Sequence, residues 1–178
     1  MNFSAGLTQH PEHANVIANI IARWNVIEDL FQHLFALFVG NNDLVLMDQI
    51  FGSLNSSKAR LDILDSSGKH ALVNNKNLPE FIELIQSLQV RLKKRNTYAH
   101  GIYGVDDDGK LWLTCPKYDW RDTQKGGHCL QLNELQEELL ESISTFNAFI
   151  QFQNKIFSEI HEHQRTSFVT WSLPNQVI

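Results

Sequence analysis

The sequence has little cysteine and no long apolar run, and each shortage excludes a class of protein. Its 178 residues include 2 cysteines, too few for a disulfide scaffold, so we expect reduced thiols. No apolar run approaches the ~20 residues that cross a bilayer. The first residues also lack the basic and apolar regions of a secretory signal. The sequence therefore predicts a cytoplasmic protein without a membrane partner.

Acidic residues are missing from one segment of an otherwise acidic chain. The net charge is −5, which argues against broad, non-specific binding of nucleic acid. From Leu84 to Val105, however, there is no Asp or Glu, and this segment contains Arg91, Lys93, Lys94 and Arg95. Such a segment could attract a phosphate locally. The alternative is a solvated basic face near a helix C-terminus, where the helix dipole favours cations.

What is present predicts one globular, mainly helical domain. Hydrophobic residues make up 43% of the chain and charged residues 20%, which is typical of a folded domain. We place this domain at residues 1–165 and a C-terminal tail at 166–178. Apolar residues recur at three- and four-residue steps in four regions. These regions run from Pro11 to Val39, from Asp43 to about His70 with an interruption after Gly52, from Pro79 to His100, and from Asn133 to His163.

The third helical region ends in the most informative segment. Its predicted buried stripe comprises six apolar residues: Phe81, Leu84, Ile85, Leu88, Leu92 and Ala99. Arg95 falls on that stripe, where a guanidinium is costly unless it is paired or faces a site. His100 lies on the last turn, and we expect Gly101 to be the left-handed residue after the helix. Arg95 and His100 are about 140° apart around an ideal helix, so we expect them not to point together within one copy.

After Gly101 the apolar period changes from helix-like to strand-like. The turn Asp106-Asp107-Asp108-Gly109 lies between two short apolar runs and predicts a β-hairpin. Residues 116–127 read as a loop, and His128 to Gln131 as a short third strand. The predicted fold is therefore all-α in the main: an antiparallel four-helix-type bundle with a small β-hairpin insert, at about 101–131, after the third long helix.

A helical bundle whose third long helix ends in Arg-Asn-x-x-x-His-Gly resembles the HEPN superfamily. Trp24 with Glu28, and the segment from Ile50 to Leu61, resemble one group of bacterial HEPN-like proteins, so the resemblance covers roughly residues 12 to 163. It implies a metal-independent endoribonuclease, a toxin or defence effector, that works as a homodimer. Arg95 and His100 match the two family positions, and Asn96 matches the polar position after the arginine.

These residue types suit RNA cleavage by attack of the 2′-hydroxyl. A histidine titrates near neutrality and can act as base or acid, while arginine offers phosphate a permanent, bidentate cation. We therefore expect Arg95, Asn96 and His100 to be catalytic. Beside them, we expect Arg91, Lys94 and Tyr103 to bind the substrate. No metal or cofactor is expected, and the expected partners are RNA, a second copy and an antitoxin protein.

Other interpretations stay open at this point. Arg95 could be a structural arginine paired with Glu28 or another helix carboxylate, and His100 a C-terminal cap. The protein could be a non-catalytic HEPN module that binds a nucleotide, an RNA or a protein, or a purely structural helical dimer. Cys115, His128 and Cys129 could hold zinc, although their spacing matches no common site. Trp112 and Trp120 are candidates for stacking on a base, whereas Glu28 is expected to bond within the bundle.

Overall fold

A computed structural model of the protein describes residues 6–41, 43–114 and 127–163. The chain in these ranges is mainly helical, with a small antiparallel sheet. A single 3-10 turn, Leu7–Gln9, precedes the first helix. The five helices are α1 Pro11–Val39, α2 Leu44–Ser53, α3 Ser57–Ala71, α4 Leu78–His100 and α5 Leu132–His163, and the three strands are β1 Ile102–Val105, β2 Leu111–Thr114 and β3 Gly127–Cys129.

Local signals in the sequence set the helix ends. Pro11 is the first residue of α1, a position where its missing N–H costs nothing. Gly40 follows α1 with φ 65°, a conformation that favours glycine. The Asp43 carboxylate accepts a hydrogen bond from the backbone N–H of Leu46 at 3.0 Å and begins α2. The Ser56 hydroxyl caps α3 in the same way. The predicted bounds of these helices are confirmed to within a few residues.

Helix α1 lies at the centre of the packing and contacts α2, α3, α4 and α5. The main core forms where these helices meet, and its fully buried aromatic residues are Phe31, Phe81, Phe149 and Phe152. A second apolar cluster joins the start of α1 and the end of α4 to the sheet and to α5. The sheet is therefore fixed directly behind the end of α4, where the motif lies.

The end of α4 differs from the prediction in two details. Ala99 is exposed and Tyr98 is buried instead, so the predicted stripe is wrong at its last member. The reason is the second apolar cluster, which takes up the Tyr98 ring. Gly101 is not left-handed: its φ is −74° and its ψ 154°. A Cβ at Gly101 would lie 2.0 Å from Leu113 Cδ1 and 2.7 Å from the Thr97 carbonyl oxygen. Close packing of the sheet, rather than a positive φ, requires glycine there.

The buried line of α5 also differs from its predicted apolar stripe. Leu135 is buried as predicted, but the line then runs through Glu138, Ser142, Thr145, Phe149, Phe152 and Ile156. The other predicted residues lie beside this line and are half-buried: Leu139, Ile143, Phe146, Ile150, Phe157 and Ile160. On this line the Glu138 carboxylate forms an ion pair with Arg91 of α4. After Leu135, the buried face of α5 is therefore polar in its first half and apolar in its second.

The three strands form an antiparallel sheet in the order β1-β2-β3. Tyr103 pairs with Leu113, and Leu113 pairs in turn with His128. Gly109 in the turn has φ 79°, as a tight hairpin turn favours. The predicted hairpin is confirmed. The third strand begins one residue earlier than predicted and ends at Cys129. The predicted loop 116–127 falls outside the described residues except for its last residue, as does the tail 166–178.

The mainly helical class with a small β-insert is confirmed, whereas the antiparallel four-helix arrangement stays a prediction. Over the described ranges, each helix is too short or too polar to span a bilayer.

Candidate functional site

The motif at the end of α4 opens into a polar cleft of about 610 Å³. One wall is α4, the second is the middle of α1, and the third is the start of α3 with the residues before it. The lining residues are Asn25, Glu28, Asp29, Asn55, Ser56, Ser57, Lys58, Arg60, Arg95, Asn96 and His100. All three residues predicted to be catalytic therefore lie in one cleft.

Arg95 and His100 face this cleft within a single copy, which contradicts the prediction that they do not point together. Asn96 and His100 are four residues apart and so lie on one face of α4. The Arg95 side chain turns toward that face, because its Nη1 donates a hydrogen bond to Asn96 Oδ1 at 3.0 Å. A long, flexible side chain thus overcomes the 140° separation expected from the ideal helix.

No carboxylate of the described residues pairs with Arg95. Its second partner is another neutral amide: Nη2 donates to Asn25 Oδ1 on α1 at 3.4 Å. Its Nε is buried and has no hydrogen-bond partner among the described residues. No ion pair in the described part of the chain includes Arg95, so the interpretation of Arg95 as the partner of Glu28 is wrong. A half-buried guanidinium in this state is well suited to an incoming anion.

Glu28 belongs instead to a network that joins α1 to α3. Its Oε2 accepts hydrogen bonds from Trp24 Nε1 at 2.9 Å and from Ser57 Oγ at 2.7 Å. Its Oε1 accepts from Arg60 Nη1 at 2.7 Å. Arg60 Nε also donates to the Phe51 carbonyl oxygen at 3.1 Å. The expectation that Glu28 bonds within the bundle is confirmed, and the network holds one wall of the cleft in place.

The remaining charged groups of the cleft differ in whether they are paired. Lys58 forms an exposed ion pair with Asp62 one turn along α3. Asp29 is exposed, and no ion pair or hydrogen bond of its carboxylate occurs among residues 6–41, 43–114 and 127–163. Arg95 and Asp29 therefore bring to the same cleft a cation and an anion that have no ion-pair partner within those ranges.

His100 occupies the last turn of α4, exposed at the edge of the cleft. Within the described ranges, its ring makes no hydrogen bond. The helix ends at Gly101, where the backbone is extended. No contact of the His100 ring within the described residues supports a role as a structural cap. An exposed imidazole can meet a substrate directly.

The residues predicted to bind substrate lie outside the cleft lining. Arg91 Nη1 is 2.5 Å from Glu138 Oε1, and Lys94 Nζ is 4.0 Å from Glu138 Oε2. Burial raises the pKa of Glu138 while the adjacent Arg91 opposes that shift. The Tyr103 hydroxyl donates to the Tyr98 carbonyl oxygen at 2.6 Å, and burial raises the Tyr103 pKa. These contacts connect α4 to α5 and to the sheet.

The structure brings no additional side chains to the proposed zinc ligands or to the proposed base-stacking tryptophans within the described residues. Over the described residues, no group of three His, Cys, Asp or Glu side chains could hold a metal ion. His128 Nε2 lies 3.0 Å from Glu134 Oε2, and Cys115 is outside the described residues. Trp112 Nε1 donates to Asp106 Oδ2 at 2.8 Å, while Trp120 also lies outside the described ranges.

Sequence reasoning missed Asn25, Asp29 and the residues 55–57 before and at the start of α3. Asn25 and Asp29 are four apart on α1, on either side of Glu28 in sequence. That spacing indicates a shared helix face, but it does not indicate that α4 lies opposite. Only the packing of α1 against α4 identifies these residues as part of the cleft.

Comparisons of the chain with family models, with curated proteins and with solved structures found no match.

Proposed function

We propose that the protein is a metal-independent endoribonuclease of HEPN type and that the cleft is its active site. One observation carries the proposal: Arg95 is half-buried, has no carboxylate partner among the residues that the structure describes, and lies with Asn96 and His100 in one open cleft. The RNA phosphate supplies the missing counter-ion. The choice of RNA cleavage among phosphate chemistries rests on the motif and its resemblance to the HEPN superfamily.

The proposed reaction is an internal transfer at one phosphodiester. The 2′-oxygen loses its proton and bonds to phosphorus, the bond from phosphorus to the 5′-oxygen breaks, and the leaving oxygen takes up a proton. The products are a 2′,3′-cyclic phosphate and a free 5′-hydroxyl. Arg95 stabilises the charge that develops on the phosphorane, because its guanidinium matches the phosphate oxygens in pairs. His100 transfers one of the two protons.

The other cations of the cleft support this assignment by contrast. Arg60 is paired with Glu28 at 2.7 Å and Lys58 with Asp62. Each of these two cations has a carboxylate partner, whereas Arg95 has none in the described part of the chain. The assignment also explains why an arginine occupies the apolar register of α4, where a structural role would require a carboxylate partner.

The second proton transfer calls for a second group, and we propose that a homodimer provides it. His100 of the partner subunit would then serve as acid when the first acts as base. Because Arg95 and His100 of one copy already line the same cleft, the dimer is not needed to bring them together. Light scattering gives the solution mass, and a strict monomer that cleaves RNA would refute a composite site.

A non-catalytic module is the second candidate, and one observation favours it. Within the described ranges no side chain or backbone group orients the His100 ring, whereas a general base is usually held by a hydrogen bond to its other nitrogen. In that case the cleft binds a nucleotide, an RNA or a protein such as an antitoxin without cleaving it. Growth arrest on induced expression, relieved by His100→Ala, favours the nuclease.

The direct experiment measures cleavage of a fluorescent RNA by the purified protein in EDTA. His100→Ala and Arg95→Lys should each slow cleavage on the order of 10²-fold or more. Lys93→Ala is the matched control, since it removes a cation from the exposed side of the same helix, outside the cleft lining. It should retain activity. Cleavage abolished by EDTA and restored by magnesium would refute the mechanism, and so would a fully active Arg95→Lys protein.

A further inference from the structure

The α1 wall of the cleft carries two polar side chains that the proposed cleavage chemistry does not use. Asn25 and Asp29 are one helical turn apart, so their Cβ atoms lie about 5–6 Å from each other on one face. Both line the cleft opposite the motif residues of α4. Asn25 lies next to Arg95, at 3.4 Å between Oδ1 and Nη2. Any group that contacts this pair is therefore adjacent to a phosphate on Arg95.

The contact with Arg95 determines which part of the Asn25 side-chain amide remains available to a ligand. A guanidinium has only donors, so the side-chain oxygen of Asn25 must face it. The amide nitrogen then points away from Arg95. Asn25 thus presents two N–H donors, next to the phosphate position, for a carbonyl oxygen or another acceptor.

Asp29 offers the complementary chemistry. An ionised carboxylate only accepts hydrogen bonds, through two oxygens side by side. Asp29 is exposed in the cleft, and Arg95, which lines the same cleft, bonds to Asn96 and Asn25 rather than to it. Because a carboxylate repels a phosphate, the part of the substrate beside Asp29 has to be neutral and has to present N–H or O–H donors. In RNA, the groups with several donors are the nucleobases.

We propose that Asn25 and Asp29 bind guanine next to the phosphate that is cleaved, an inference that rests on the proposed function. The Watson–Crick edge of guanine presents the O6 acceptor, then the N1–H and N2–H donors in a row. Asn25 Nδ2 would donate to O6, and the two Asp29 oxygens would accept from N1–H and N2–H. Adenine, cytosine and uracil each have a single donor group on that edge and cannot engage both carboxylate oxygens and the amide together.

The test uses oligonucleotides that contain one ribonucleotide in an otherwise 2′-deoxy chain. Only the ribonucleotide has the nucleophilic hydroxyl, so its position defines the cleaved bond. One set varies the ribonucleotide itself among the four bases and inosine, and a second set varies the nucleotide on its 3′ side. In one of the sets, the oligonucleotide with guanine at the varied position should be cleaved faster than those with the other standard bases, on the order of 10-fold or more. Inosine, which lacks the exocyclic amine, should lose most of this advantage.

Two variants assign the preference to Asp29. Asp29→Asn removes the charge and one acceptor, and it should abolish the preference for guanine over adenine. Asp48→Asn makes the same change at an exposed position on α2 outside the cleft lining, and it should leave the preference unchanged. Thermal melting of both variants establishes that they are folded.

The possible outcomes separate this inference from the proposed nuclease function. Cleavage without a base preference, or an equal loss on all bases in Asp29→Asn, overturns guanine recognition and leaves the nuclease standing. If no RNA is cleaved, calorimetric titration with guanosine and adenosine 5′-monophosphates still decides. Tighter binding of the guanosine nucleotide, lost in Asp29→Asn, supports guanine recognition in a non-catalytic module. Absence of both cleavage and nucleotide binding overturns the two proposals together.

Discussion

Arg95 and Arg60 line the same cleft, but their removal should affect stability very differently. Arg95→Met deletes two hydrogen bonds to neutral amides, at 3.0 and 3.4 Å. Because the donor is charged, the shorter, part-buried bond contributes about 1.5–3 kcal/mol, whereas the longer bond is exposed and contributes little. It also removes the buried Nε that lacks a partner, a group whose burial costs about 1–3 kcal/mol. The two effects oppose each other. We expect the free energy of unfolding to stay within about 1 kcal/mol of the wild-type value.

Arg60→Met is the matched comparison, because it leaves a carboxylate without its cation. The Glu28 side chain is 11% exposed and the Arg60 side chain 28%. Breaking such a pair by deleting one member should cost about 3 kcal/mol, the lower end for buried pairs, since Arg60 is partly solvated. The backbone carbonyl of Phe51 also loses its bond to Arg60 Nε.

Urea unfolding followed by circular dichroism measures both variants. A cost of about 3 kcal/mol moves the midpoint by about 1–3 M urea at ordinary m-values, whereas the Arg95→Met midpoint should move little. The same Arg95→Met protein should have lost cleavage. If Arg95→Met destabilises the protein as much as Arg60→Met does, Arg95 has a structural counter-ion and the argument for an anion site fails.

Two further predictions concern the sheet behind the motif. Gly101→Ala should destabilise the protein by about 1–3 kcal/mol through overpacking against Leu113 Cδ1, 2.0 Å from the added Cβ; Gly52→Ala, with nothing within 4 Å, should be neutral or stabilising in the same urea assay. Asp106 accepts hydrogen bonds from the Lys110 backbone and then the Trp112 side chain, which lower its pKa from the ordinary 3.8. Its folded pKa lies below the unfolded one, so its contribution is complete well above pH 3.8 and is lost as the pH falls through the folded value. Asp106→Asn should show a smaller fall in urea midpoint between pH 5 and pH 3 than the wild type, and an unchanged fall would contradict this account.

The local pattern of residues by itself determined the helices and the position of the motif. Capping side chains and glycine act within one turn, so the end of α1 at Gly40 and the beginnings of α2 and α3 at Asp43 and Ser56 follow from neighbouring residues alone. The period change after Gly101 likewise predicts the hairpin. Because α4 extends to His100 as expected, Asn96 and His100 necessarily share a face.

Only the tertiary structure decided which groups meet. The partner of Glu28 is Arg60, 32 residues away, and that choice depends on how α1 packs against α3 rather than on any local pattern. The absence of a carboxylate at Arg95, within the described residues, follows from the same packing. Tyr98 is buried in place of Ala99 because the sheet packs against the end of α4. Asn25 and Asp29 are ordinary polar helix residues in the sequence, and they become part of a cleft only because α4 lies opposite them. Helix formation depends on neighbours within a turn, whereas charge pairing and cleft formation depend on contacts between segments far apart in the chain.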